Sequence, residues 1–174
     1  MSSNIAKVIA CLKYLEISPK ISDYRDRFFT QKTAFLAKAL GIAITYPFTV
    51  YVSGPYSREL TCDYYANKQN VESLKTDYKL SQSETEVLDK VKSCSGIYES
   101  MTLMEATTTT IYLKQQTPES SDDDLFVELK HLKPYLSDSD KLIGITKSKG
   151  LLFKPEYLTD EIKKELAAWD SLDN

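Results

Sequence analysis

Between Asn4 and Glu16, apolar side chains recur at Ile5, Val8, Ile9, Leu12 and Leu15, with Lys7 and Lys13 off that stripe. Spacings of three and four gather the set on one side of a helix, with Ser2 or Ser3 as its cap. Pro19 closes the segment. A second helix is expected over 24–40, where Phe28, Phe35, Leu36, Ala39 and Leu40 make an apolar face. Gly41 follows it, at the position where a left-handed residue ends a helix without steric cost. The period then changes. Ile42, Ile44, Tyr46, Phe48, Val50 and Val52 share one parity, and Ala43, Thr45, Thr49 and Ser53 share the other. Such alternation predicts a half-buried strand, and Pro47, which has no ladder donor, makes it an edge strand or a broken one. Its partner is expected within 71–80.

Helical patterns resume after the Gly54-Pro55 step. Ser57 is placed to cap a helix that starts at Arg58 and turns Leu60 and Tyr64 inward. Ser81 and Glu84 form a capping-box pattern ahead of Val87, Leu88 and Val91, in a helix ending near Gly96. A further helix over 98–115 carries Met101, Met104, Thr108 and Ile111. Its run Thr107–Thr110 has modest helix propensity, so packing has to hold it. Short helices follow at 125–132 and 139–149, separated by Lys133-Pro134, and Ile162, Leu166 and Trp169 mark a last one. The polar stretch 117–124 reads as a linker ending in a helix cap, because no acidic spacing of a calcium loop follows Asp122, Asp123 and Asp124. The expected fold is mainly α: a single compact helical domain over 1–174, with about six or seven helices. One short β-strand or hairpin is expected near 42–53 and 71–80.

Composition sharpens this only in places. Hydrophobic residues at 42% and charged residues at 27% suit a globular core that needs neither disulfides nor metal. The net charge of -3 opposes wholesale coating of nucleic acid. The charge is unevenly spread, however: residues 1–41 hold seven Lys/Arg against three acids. Cys11, Cys62 and Cys94 are widely spaced and lack a Cys-x-x-Cys pair, which points to reduced, mostly buried thiols rather than a zinc site. No apolar run approaches a membrane span, and Lys7 and Lys13 interrupt any leader-like stretch, so a cytoplasmic protein with no membrane partner is expected.

Candidate chemistry is sparse. Neither a Gly-x-Ser-x-Gly elbow nor a glycine-rich phosphate cradle occurs. His131, the sole imidazole, sits at a helix end and reads as a structural or surface residue. No catalytic residue, metal ligand or cofactor is expected, and an enzyme is not. A module that binds another macromolecule, above all a protein, fits better. Its candidate contacts are Tyr56, Arg58, Tyr64 and Tyr65, since tyrosine covers apolar surface while keeping a polar tip. A homodimer fits the same pattern. The alternative is a winged-helix-like DNA-binding transcriptional regulator, with Arg25, Arg27, Lys32 and Lys38 toward phosphate. The Gln31 amide would then pair with adenine, or else make a local hydrogen bond.

Several of these segments fall into one order. The helix "FFTQKTAFLAKALG" (Phe28–Gly41) leads through a strand into "VYVSGPYSREL" (Val50–Leu60), and "MTLMEATTTTIYL" (Met101–Leu113) precedes "VELKHLKPYLSDSDKL" (Val127–Leu142). The set resembles uncharacterised bacterial, archaeal and phage-associated proteins related to the Panacea domain, which occurs in antitoxins of toxin–antitoxin systems. The resemblance spans roughly 25–145. It implies a mainly helical, non-enzymatic interaction module that neutralises a protein partner by direct binding or marks it for proteolysis. The N-terminal helix and the threonine run depart from the family pattern.

Overall fold

Helices dominate, as the periodicity predicts. Nine of them and one two-stranded hairpin form among the residues that the computed structural model describes, 1–153 and 160–172. The chain divides into two units, Met1–Lys92 and Ser93–Asn174.

In the first unit, α1 (Ser3–Tyr14) is capped by the Ser2 hydroxyl and α2 (Tyr24–Ala39) by the Asp23 carboxylate. The hairpin pairs β1 (Thr49–Tyr51) with β2 (Gly54–Tyr56), in register Thr49 with Tyr56 and Tyr51 with Gly54. Three helices follow: α3 (Arg58–Ala66), α4 (Lys68–Glu72) and α5 (Gln82–Ser93). The core joins Ile5, Val8, Ile9 and Leu12 of α1 to Ala34 and Ala37 of α2, with Ile44, Leu60, Val71 and Leu88. Gly41 takes φ 110°, as its place after α2 requires.

The β content differs from the expectation in two ways. Ile42, Ile44 and Tyr46 are buried while Ala43, Thr45 and Pro47 are exposed, so the alternation holds. Yet 42–48 has no partner strand, and helix side chains bond its backbone instead. Asn4 Oδ1 accepts from Thr45 N at 3.1 Å, Lys7 Nζ donates to Ala43 O at 2.6 Å, and Lys38 Nζ donates to Tyr46 O at 2.6 Å. The strand expected within 71–80 does not form either. Val71 belongs to α4, and Leu74 then turns left-handed at φ 52°. The chain from there lies extended against the unit, with the Thr76 hydroxyl bonded to Ala6 O at 3.0 Å. Alternation records an extended chain with one face buried; it does not record a ladder. The partner of β1 is the next segment, so Gly54-Pro55-Tyr56 is a strand, and the turn is Val52-Ser53.

In the second unit, α6 (Met101–Gln116), α7 (Asp122–Leu132), α8 (Asp138–Leu152) and α9 (Asp160–Leu172) follow one another. Hydroxyls of Ser100, Ser121 and Ser137 cap the first three. The acidic run forms the first turn of α7, where Asp124 completes a capping box with Ser121. Helix α6 is buried on every side from Leu103 to Ile111. Thr108 and Thr110 turn their hydroxyls onto Met104 O and Ala106 O, each at 2.8 Å, while the Thr107 and Thr109 hydroxyls are buried without a partner. Helix α8 crosses α6 at Gly144, where a Cβ would stand 2.6 Å from Ala106 Cβ and 2.9 Å from Thr107 N.

Two outcomes follow from this packing. Gly144→Ala forces the crossing apart and lowers unfolding free energy by about 1–3 kcal/mol in urea titration. Of the thiols, expected to be mostly buried, only Cys11 is, and burial pushes it up to about 12; Cys62, on the outer side of α3, is exposed and Cys94 is half-buried. Alkylation of the folded protein at pH 8 therefore modifies Cys62 and spares Cys11 until denaturant is added, read by mass spectrometry.

A tyrosine-lined cleft as the candidate functional site

The site begins with two polar residues on an apolar face. Phe28, Gln31, Lys32 and Phe35 lie three and four apart on α2, and all four are buried. A buried carboxamide needs partners for both of its ends. Gln31 finds them on the backbone of Ser57: Nε2 donates to Ser57 O at 2.9 Å and Oε1 accepts from Ser57 N at 3.0 Å. That reciprocal pair is what a neighbouring strand would supply. Nε2 also donates to Thr61 Oγ1 at 2.9 Å, and Thr61 Oγ1 donates to the Tyr56 hydroxyl at 2.8 Å. Lys32 Nζ donates to Pro55 O at 2.8 Å and lies 4.9 Å from the Phe28 ring centroid. The outer edge of β2 is thereby closed by helix side chains. Ser57 is left free to cap α3 through its hydroxyl, which accepts from Leu60 N.

This clamp fixes one wall of a cleft of about 920 Å³ between α2, the hairpin and α3. All four candidate binding residues line it, and the structure grades them. Tyr64 is buried, and that burial raises its phenol above the ordinary value. Tyr56 is half-buried, and Arg58 and Tyr65 are exposed. The Tyr64 and Tyr65 rings lie 5.0 Å apart. Two tyrosines not foreseen as contacts complete the lining. Tyr51 sits 5.7 Å from the Tyr56 ring, and the Tyr24 hydroxyl lies 3.1 Å from Ser53 Oγ. Their signal in the sequence was parity and adjacency: Tyr51 is off the buried parity of its strand, and Tyr24 opens a helix.

The four cations expected to face phosphate are dispersed. Arg27 and Lys32 line the cleft, but Lys32 is committed to Pro55 O, and Arg27 Nη1 donates to Ile21 O at 2.8 Å and Ser22 O at 2.9 Å. Lys38 is tied to Tyr46 O, and Arg25 lies 4.9 Å from the Phe29 ring. Neither of these two lines the cleft. His131 is exposed in the last turn of α7.

No thiol or imidazole lines the cleft. What it presents is aromatic face, phenol hydroxyls, guanidinium donors and the Glu59 carboxylate. Among the described residues, no helix is long and apolar enough to cross a membrane. The chain matches no protein-family model, no curated protein and no solved structure.

Gln31→Leu removes the acceptor of the buried Ser57 amide and costs about 1–3 kcal/mol in urea unfolding. Arg25→Ala, which trims an exposed side chain from α2, costs less than about 0.5 kcal/mol in the same titration.

Proposed function

We propose that the chain is a non-enzymatic protein-binding module, antitoxin-like in role, and that the tyrosine-lined cleft of the first unit is its docking surface. One observation carries this reading. Four residues singled out as contacts from the sequence, Tyr56, Arg58, Tyr64 and Tyr65, meet in one cleft, joined there by Tyr24 and Tyr51. Tyrosines held by packing and hydrogen bonds offer large contact area at little entropic cost, which is why binding hot spots are enriched in them. The resemblance to Panacea-related proteins supplies the antitoxin part of the proposal. The DNA-reading alternative has less support. Helix α2 is buried on every side from Phe28 to Ala37, and Lys32 and Lys38 are tied to backbone carbonyls.

A photo-crosslinking side chain at position 65 tests the reading in cells that express the native partner. Position 65 traps one discrete protein, while the same group at the exposed Val127 of α7 traps none. Expressed alone, the trapped protein arrests growth, and co-expression of this chain relieves the arrest. Equal trapping at both positions, or trapping at neither, contradicts the docking surface. Trapping of a protein whose expression leaves growth unchanged contradicts the antitoxin role.

A further inference from the structure

We infer that the cleft takes a linear peptide segment that carries a carboxylate beside an aromatic or large aliphatic side chain. The inference rests on the reading of the cleft as a protein-docking surface and gives the partner's recognition element its chemistry.

The walls set the apolar half of that element. Tyr51 with Tyr56, and Tyr64 with Tyr65, form two aromatic pairs lining the cleft, and Phe28 is a buried part of the same lining. A volume of about 920 Å³ has room for several side chains of one segment. Aromatic and aliphatic groups fill such a space best, because they meet ring faces and remove apolar surface from water.

Charge sets the other half. Three cations, Arg27, Lys32 and Arg58, line the cleft against one acid, Glu59. Their availability differs. Lys32 is buried on Pro55 O, and Arg27 is held through Nη1 by two carbonyls. The exposed Arg58 guanidinium makes no hydrogen bond or ion pair with the described residues, so its fork of donors is open to a carboxylate. A cationic ligand is opposed by the same guanidinium groups, even though tyrosine faces attract cations. A nucleic-acid strand is served poorly for a different reason. Its affinity grows with the number of phosphates neutralised, and this cleft offers one uncommitted cation instead of a row of them. One carboxylate needs only one.

Selection of random linear peptides displayed on phage tests this, using the purified full chain as bait and its Arg58→Glu variant for counter-selection. The expected winners place Asp or Glu next to Trp, Phe, Tyr or Leu. In fluorescence anisotropy, their affinity falls at least about tenfold against Arg58→Glu, and as much when the peptide carboxylate is replaced by its amide. Tyr65→Ala weakens the same peptides, and both variants keep the parent's thermal unfolding midpoint, since both positions are exposed. Four results overturn the inference: no enrichment over the counter-selected background, enrichment of basic peptides, binding indifferent to Arg58→Glu, or oligo(U) that displaces the winners at physiological salt. Crosslinking at position 65 separates the two claims. If it succeeds while the peptides ignore Arg58, the docking surface stands and its proposed chemistry fails. If it fails while acidic peptides bind, the cleft has its ligand and the cellular partner does not use it.

Discussion

The carboxamide of Gln31 occupies the place of a missing strand. It bonds both backbone groups of Ser57, as an antiparallel neighbour would, and Lys32 one residue on takes the carbonyl of Pro55. Without these bonds the outer edge of β2 would be a buried row of unpaired polar groups, which folded proteins avoid. The pair therefore does three things at once. It seats the hairpin on α2, it starts α3 at Ser57, and it fixes the cleft wall that carries Tyr56. A two-stranded hairpin with three residues a side is not stable alone, so its position has to come from the helix beneath it.

The same device recurs along the chain. Lys7 and Lys38 hold the carbonyls of Ala43 and Tyr46 in the first unit; Lys114, Lys141 and Lys147 hold those of Ser120, Leu136 and Ser95 in the second. Each ammonium ties a segment outside the helices to a helix, where a larger sheet would have used strand pairing. Burying an ammonium is costly, and a charge-assisted bond to a carbonyl offsets that cost. Much of the basic excess in residues 1–41 is spent this way. Of the four cations expected to contact phosphate, Arg27, Lys32 and Lys38 bond backbone carbonyls, and Arg25 lies over the Phe29 ring.

Helices were readable from the sequence because their signals are local. Hydroxyl caps at Ser2 and Ser57, and the glycine at position 41, are each decided within one turn. Helix starts expected at 98, 125 and 139 instead fall at Met101, Asp122 and Asp138, behind the caps Ser100, Ser121 and Ser137. The β element was only partly readable. Parity in 42–52 reports which face is buried, but whether a ladder forms depends on what lies beside the backbone, and there the neighbours are Asn4, Lys7 and Lys38. The short α4 has no periodic signal long enough to register, and 71–80 reads as a strand because residues 74–80 do alternate in burial, again without a ladder. Of the candidate site, the four candidate contacts all come soon after the Gly-Pro step, and the fold brings them to one cleft. Its organiser was visible but read differently: Gln31 and Lys32 interrupt an apolar face between Phe28 and Phe35, and a polar pair in such a place has to find partners inside the protein.

The cleft thus depends on a few buried polar contacts where a larger sheet would use strand pairing. Ligand recognition would use the tyrosines, and the Gln31–Ser57 pair would keep them in register. The direct test is hydrogen exchange at the Ser57 amide, followed residue by residue by NMR. If the clamp organises the unit, that amide exchanges only on global unfolding, with the same protection free energy as the α2 amides between Phe28 and Ala37. Exchange by local opening, several kcal/mol easier than unfolding, would show that the hairpin detaches while α2 stays folded, and would contradict the account.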